Sequence, residues 1–159
     1  MGKPQINKDI LRRSIIGLAS LFGIGFLPIL GGTAASLAAI LFFLLLDSFS
    51  FFLFFVGILI ISFPLSSEAE RIFKEKDSPK IVIDDFCGML LSLLFLPKKS
   101  LFIFLAFVLF RALDFLKIPP ANYIEKKEGG VGVVGDDLIA GFYTNLFLHS
   151  LRFILKISS

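Results

Sequence analysis

Along this chain, long apolar runs are separated by short polar breaks. Five continuous apolar stretches run roughly 33–46, 49–65, 81–97, 100–116 and 138–155. None alternates apolar and polar positions with a period of two, so a barrel built from alternating segments of about ten residues is a poor fit. Each run is about 14–18 residues long, slightly short of the ~20 that a helix needs to cross hydrocarbon. A thin bilayer, or helix ends set within the headgroups, accommodates that length. The pattern predicts an all-α, polytopic integral membrane helical bundle with about five membrane helices.

The start of the chain follows another pattern. Lys8, Asp9, Arg12 and Arg13 precede Ile15, Ile16, Leu18, Leu21 and Phe22, which predicts an interfacial amphipathic helix over residues 7–22. Gly23-Ile-Gly-Phe-Leu-Pro-Ile-Leu-Gly-Gly then interrupts regular structure. A re-entrant or headgroup-level loop is expected here, with protein covering its backbone. Thr33 or Ser36 is expected to help start the first full helix.

Composition agrees with the pattern. The chain has 159 residues, 56% hydrophobic, with 21 Phe and no Trp. Soluble domains are usually about 45–50% apolar, and the mean hydropathy here is +0.88. Lipid is therefore the expected solvent, and one domain over 1–159 is the expected count. The net charge of +3 is too small a basic excess for a nucleic-acid binder and suits anionic headgroups. The single cysteine, Cys87, precludes an internal disulfide. The first residues lack the basic, apolar and small-residue regions of a cleavable signal.

Charge also gives an orientation. If the N-terminal helix lies on one face, successive loops fall alternately on that face and the opposite one. The first face then collects eleven Lys and Arg residues: Lys3, Lys8, Arg12, Arg13, Arg71, Lys74, Lys76, Lys80, Lys117, Lys126 and Lys127. The opposite face has four: Lys98, Lys99, Arg152 and Lys156. The basic face is expected to be cytoplasmic. Thr33, Glu70, Asp77, Asp84, Asp85, Asp114, Lys117, Asp136 and Asp137 all fall there.

Two Asp pairs stand out. Asp84-Asp85 opens one apolar stretch and Asp136-Asp137 opens another, with Gly88 and Gly141 following. Asp at a helix start can simply cap it. Four converging carboxylates would repel one another, however, and each costs free energy at a membrane edge unless paired. A divalent cation removes both difficulties, and oxygen-only ligands suit a hard ion such as Mg²⁺. Arg111, Asp114 and Lys117 share one helix face by their spacing. They form either a snorkelling ion cluster or a phosphate-binding group with an acid beside it. The run from Gly129 to Gly135 either offers backbone N–H groups to phosphate or is a flexible approach to Asp136. Cys87 and His149 are expected to be structural.

Taken in order, these segments resemble the phosphatidylglycerophosphatase A family. The residues that carry the likeness are Gly23-Ile-Gly-Phe-Leu-Pro28, Gly32-Thr33-Ala-Ala-Ser36, Ala69-Glu70, Lys76-Asp77-Ser-Pro79, Ile81-Val-Ile-Asp84-Asp85-Phe-Cys-Gly88, Phe110-Arg111-Ala-Leu-Asp114-Phe-Leu-Lys117 and Gly129 through Gly141. Asp85 stands where the family usually has Glu, Ala35 where it has Gly, and Ile118 where it has Pro. The stretch 121–128 matches poorly.

The resemblance implies Mg²⁺-dependent hydrolysis of phosphatidylglycerophosphate to phosphatidylglycerol and inorganic phosphate, at the cytoplasmic face of a bacterial inner membrane. It implies Asp84, Asp85, Asp136, Asp137 and Glu70 as metal ligands, with Asp84, Asp114, Asp136 and Asp137 catalytic. Thr33, Lys76, Arg111 and Lys117 would bind the substrate. The rival reading is a small transporter using intramembrane acids, which predicts them in mid-helix and within inverted repeats.

Overall fold

The computed structural model describes residues 8–156. Lys3, the first residues expected to lack a cleavable signal, and residue 7 of the expected amphipathic helix lie outside the described residues. The described residues form seven helices and no strand: α1 Lys8–Ala19, α2 Gly31–Leu45, α3 Ser48–Phe73, α4 Ile83–Leu93, α5 Ser100–Leu116, α6 Ala121–Ile124 and α7 Gly130–Ile154. A short 3-10 turn, Ile24–Phe26, links α1 to α2.

The apolar runs become helices, but with shifted ends. The polar break between the 49–65 and 81–97 runs begins as helix, because α3 continues through Ser66-Ser-Glu-Ala-Glu-Arg-Ile-Phe73. Glu68 and Arg71 pair across one turn at 2.6 Å and support this extension. α2 starts at Gly31 after Leu30, and no side chain caps it, so neither Thr33 nor Ser36 begins the helix. Ser36 instead donates back to the Gly32 carbonyl at 2.9 Å.

Two helices, α3 and α7, are long and apolar enough to cross a membrane. With 26 and 25 residues they extend about 39 and 37 Å. α2 and α5 have 15 and 17 residues and α4 only 11, or about 22, 25 and 16 Å. Of the about five membrane helices expected, α3 and α7 alone among the described residues have that length and apolarity, and part of the 81–97 run is not helical. Ile81 and Val82 precede α4, and Leu94 to Leu96 follow it.

α4 is the centre of the bundle. It packs mainly against α7 and α2, and also against α3 and α5. Phe86 on α4 meets Phe42 of α2 and Phe54 of α3 edge-on, at centroid distances of 5.8 and 6.1 Å. A helix this short and this buried leaves its last carbonyls without water. One face of α7 supplies the donors. Asn145 Nδ2 donates to Ser92 and Leu94 at 3.2 and 2.9 Å, His149 Nε2 lies 3.0 Å from the Leu94 carbonyl, and Arg152 donates to Phe95 at 3.4 Å. Large apolar side chains cover the outside of the bundle, among them Leu45, Phe49, Ile60, Phe104, Phe147 and Phe153. A soluble monomer rarely exposes so extensive an apolar surface.

Candidate metal and phosphate site

The acids converge because α4 and α7 cross closely. A Cβ on Gly141 would overlap the Gly88 carbonyl oxygen, and one on Gly88 would sit 2.7 Å from both the Asp137 carbonyl oxygen and the Phe110 ring. Each glycine lies about one turn below an Asp pair. Their missing side chains allow the backbones to touch, which brings the start of α4 beside the second turn of α7. A third glycine, Gly32 on α2, leaves room for Asp85: a Cβ there would overlap the Asp85 carboxylate.

The result is a cavity of about 450 Å³ at one end of the bundle. Its wall includes six carboxylates (Asp77, Asp84, Asp85, Asp114, Asp136, Asp137) and three cationic side chains (Lys80, Arg111, Lys117), a formal excess of three negative charges. Asp84, Asp136 and Asp137 are almost fully buried.

Neither Asp pair caps a helix. The residue before α4 is Val82, and Asp84 Oδ1 accepts only from the neighbouring Asp85 N–H, at 2.9 Å, among the bonds described. α7 begins at Gly130, so Asp136 and Asp137 lie in its second turn rather than at its start. The glycines from 129 to 135 are the beginning of α7, not an open phosphate loop. The Gly129 N–H donates to Glu70 Oε2 at 3.0 Å and the Gly130 N–H to Ser67 Oγ at 2.6 Å.

The pairs divide their work. Asp84, Asp85 and Asp137 each offer a carboxylate oxygen, all within 4.8 Å of one another. Asp136 turns instead to Lys117, with its Oδ2 at 2.9 Å from Nζ, while its Oδ1 is buried and unpartnered. Arg111 bridges Asp85 and Asp114, the latter at 3.1 Å. Lys117 also meets Glu125 at 2.5 Å and Asp77 at 3.8 Å. Its partial burial favours the neutral amine, but hydrogen bonds to Glu125 and Asp136 outweigh this and raise its pKa. The ammonium therefore stays charged.

The chemistry of this donor set fits a hard divalent cation. It consists of three carboxylate ligands from two helices, Asp84 and Asp137 buried and Asp85 partly so, in a cavity whose own cations do not balance its acids. Three further residues expected at the site lie elsewhere. Glu70 uses Oε1 to accept from the Asp77 N–H at 2.9 Å and Oε2 for Gly129, so it ties two loops together. Lys76 donates to the Lys126 carbonyl at 2.9 Å on the outer surface. Thr33 is in the first turn of α2 but does not line the cavity.

The family model for phosphatidylglycerophosphatase A matches residues 17–152. The chain belongs to that family. It is 34% identical to phosphatidylglycerophosphatase A of Escherichia coli over 129 residues, covering 78% of this chain and 75% of that one. A Bacteroides thetaiotaomicron protein with the provisional name phosphatidylinositol-3-phosphatase is 31% identical over 147 residues, covering 84% of this chain and 91% of its own. The Haemophilus influenzae phosphatidylglycerophosphatase A is 35% identical over 79 residues, 48% of each chain. No solved structure matches the chain.

Within this member of the phosphatidylglycerophosphatase A family, sequence reasoning missed that Lys80 lines the cavity and that Glu125 pairs with Lys117. Glu125 lies in the 121–128 stretch that carries little resemblance. It is eight residues beyond Lys117 with α6 between them, so no helical spacing could have paired them. Gly88 and Gly141 did leave a signal: small residues let helix backbones approach closely, and each lies about one turn from an Asp pair.

Proposed function

We propose that this chain is a single, multi-pass membrane phosphatase domain that hydrolyses phosphatidylglycerophosphate to phosphatidylglycerol and inorganic phosphate, using Mg²⁺ at the cytoplasmic face. The observation that carries this reading is the triad Asp84, Asp85 and Asp137, gathered beside Arg111 and Lys117 in one buried cavity. Family membership supplies the substrate class. The apolar exterior and the two long apolar helices support a membrane location; in this reading α2, α4 and α5 complete the five passes. The Lys and Arg asymmetry supports the cytoplasmic face.

Phosphomonoester hydrolysis is among the slowest uncatalysed reactions, so the site must stabilise much developing charge. Asp84, Asp85 and Asp137 would hold the cation, with Asp136 adjacent. Mg²⁺ there would supply positive charge against the phosphoryl oxygens. Arg111 is held by Asp85 and Asp114, which fixes its guanidinium at the cavity wall with donors left for a phosphate oxygen. Lys117, kept charged by Asp136 and Glu125, offers a second positive group. Asp114, one oxygen occupied by Arg111, is placed to orient a water or accept its proton.

Phosphate release from purified protein in mixed micelles tests this reading, with phosphatidylglycerophosphate and phosphatidylinositol 3-phosphate assayed side by side. Asp84→Asn and Asp137→Asn should each lower the rate by at least about a thousandfold, as expected when a group that acts through the transition state is lost. Near wild-type rates in both variants would sink the metal-site assignment. A preference for the inositol lipid would move the substrate towards the one in the Bacteroides protein's name.

A further inference from the structure

The loop between α1 and α2 shows a conflict that its own packing does not resolve. Ile29 has φ 67°, and the Leu30 N–H donates to the Pro28 carbonyl at 2.8 Å, closing a three-residue turn around it. That is the strained form of the γ-turn, and a β-branched residue is poorly suited to a left-handed backbone. Glycine would hold the turn without strain. Yet Ile29 is 100% exposed and gains nothing from the protein interior in return. Such strain, stored at a residue with no internal partner, points to a partner outside the fold.

The loop is fixed from beneath. Gly25 lies so close to the Lys80 carbonyl that no side chain fits there, the Val82 N–H donates to the Ala19 carbonyl at 3.0 Å, and Phe26 packs edge-on against Phe73. The loop is therefore a presented surface rather than a loose end. Leu27 and Ile29 both line the acid cavity, and both are exposed. One continuous cavity thus has carboxylates and cations on one wall and bare aliphatic side chains on another. A free phosphate or a soluble sugar phosphate has no use for the second wall. An amphiphile with a phosphate at one end matches both.

Resting on the phosphatase reading above, we propose that Leu27 and Ile29 form an apolar lip that receives the acyl end of the lipid substrate while its terminal phosphate reaches Arg111 and Lys117. The lip acts on substrate binding and takes no part in the chemical step.

The test uses Ile29→Gly, which removes the side chain and relieves the turn, and Leu27→Gln, in which the backbone is unstrained. Each is assayed on long-chain phosphatidylglycerophosphate in micelles of fixed composition and on the deacylated, water-soluble headgroup. KM for the lipid should rise about tenfold in each variant, the amount expected when one aliphatic side chain loses its apolar contact. The kcat on the lipid and any hydrolysis of the deacylated headgroup should stay as in the wild type; Leu27→Gln should melt as the wild type does, and Ile29→Gly, its turn relieved, should melt no lower. Unchanged KM for the lipid in both variants, or an equal loss on both substrates, overturns the lip. Wild-type protein that releases phosphate from neither substrate refutes the phosphatase reading itself, a result distinct from either.

Discussion

The α4–α7 crossing allows a sharp prediction, because Gly141 touches the backbone of α4 yet does not line the acid cavity. In Gly141→Ala, the new Cβ would overlap the Gly88 carbonyl oxygen and lie 3.1 Å from its carbon and 3.3 Å from its Cα. Relaxed carbon contacts need about 3.5–4.0 Å, and the obstacle is backbone, so the helices must part by roughly 1 Å. Overpacking of this kind costs about 1–3 kcal/mol. Alanine returns about 1 kcal/mol of helix propensity relative to glycine, so the net destabilisation is only about 0–2 kcal/mol. The consequence for the site is larger. Asp137 moves with α7 while Asp84 and Asp85 stay on α4, and a displacement of about 1 Å within a reacting constellation can cost about a hundredfold in rate. Gly141→Ala should therefore fold and remain helical, melt close to wild type, and release phosphate about a hundred times more slowly. Phosphate release in micelles and a circular-dichroism melt measure the two effects separately. A well-folded variant with a rate within about twofold of wild type would refute the idea that this contact sets the ligand spacing.

Two other perturbations separate roles within the site. Glu70→Gln keeps one acceptor and loses the other, so one of the N–H groups of Asp77 and Gly129 loses its partner. Stability should fall by about 1 kcal/mol with the Mg²⁺ concentration for half-maximal rate unchanged, whereas a tenfold rise in that concentration would make Glu70 a ligand after all. Dialysis against a chelator should stop phosphate release and added Mg²⁺ should restore it, because the cavity's acids outnumber its cations; full activity after chelation would contradict a metal-dependent site.

Much of the architecture was legible because lipid imposes simple constraints. Continuous apolar runs leave the backbone no option but helix, and α2, α5 and most of α7 follow from that. Loop parity then placed Asp84, Asp85, Arg111, Asp114, Lys117, Asp136 and Asp137 together, and they share one cavity. Apolarity does not mark helix ends, however. Val131, Val133 and Val134 lie among glycines that read as a loop, yet this stretch is helical because Glu70 and Ser67 on α3 accept the N–H groups at its start. A helix that is initiated by residues about sixty positions away cannot be read from a local window.

The same distinction explains why the four aspartates looked equivalent in sequence and are not. Spacing gives the direction of a carboxylate around its own helix, not which neighbour reaches it first. Asp136 meets Lys117 because α5 ends in a left-handed residue at φ 45°, and the next turns return the chain to bring Glu125 to the same ammonium. Asp137, one position on and about 100° around the helix, instead faces α4, where Gly88 leaves room for its backbone. One lysine and one glycine, on different helices, therefore separate a charge-pairing aspartate from a metal-binding candidate. This makes Lys117→Met more informative than any substitution of Asp136 itself. With its ammonium partner gone, buried Asp136 can be neutral only by taking up a proton, or can join the neighbouring carboxylates around a cation.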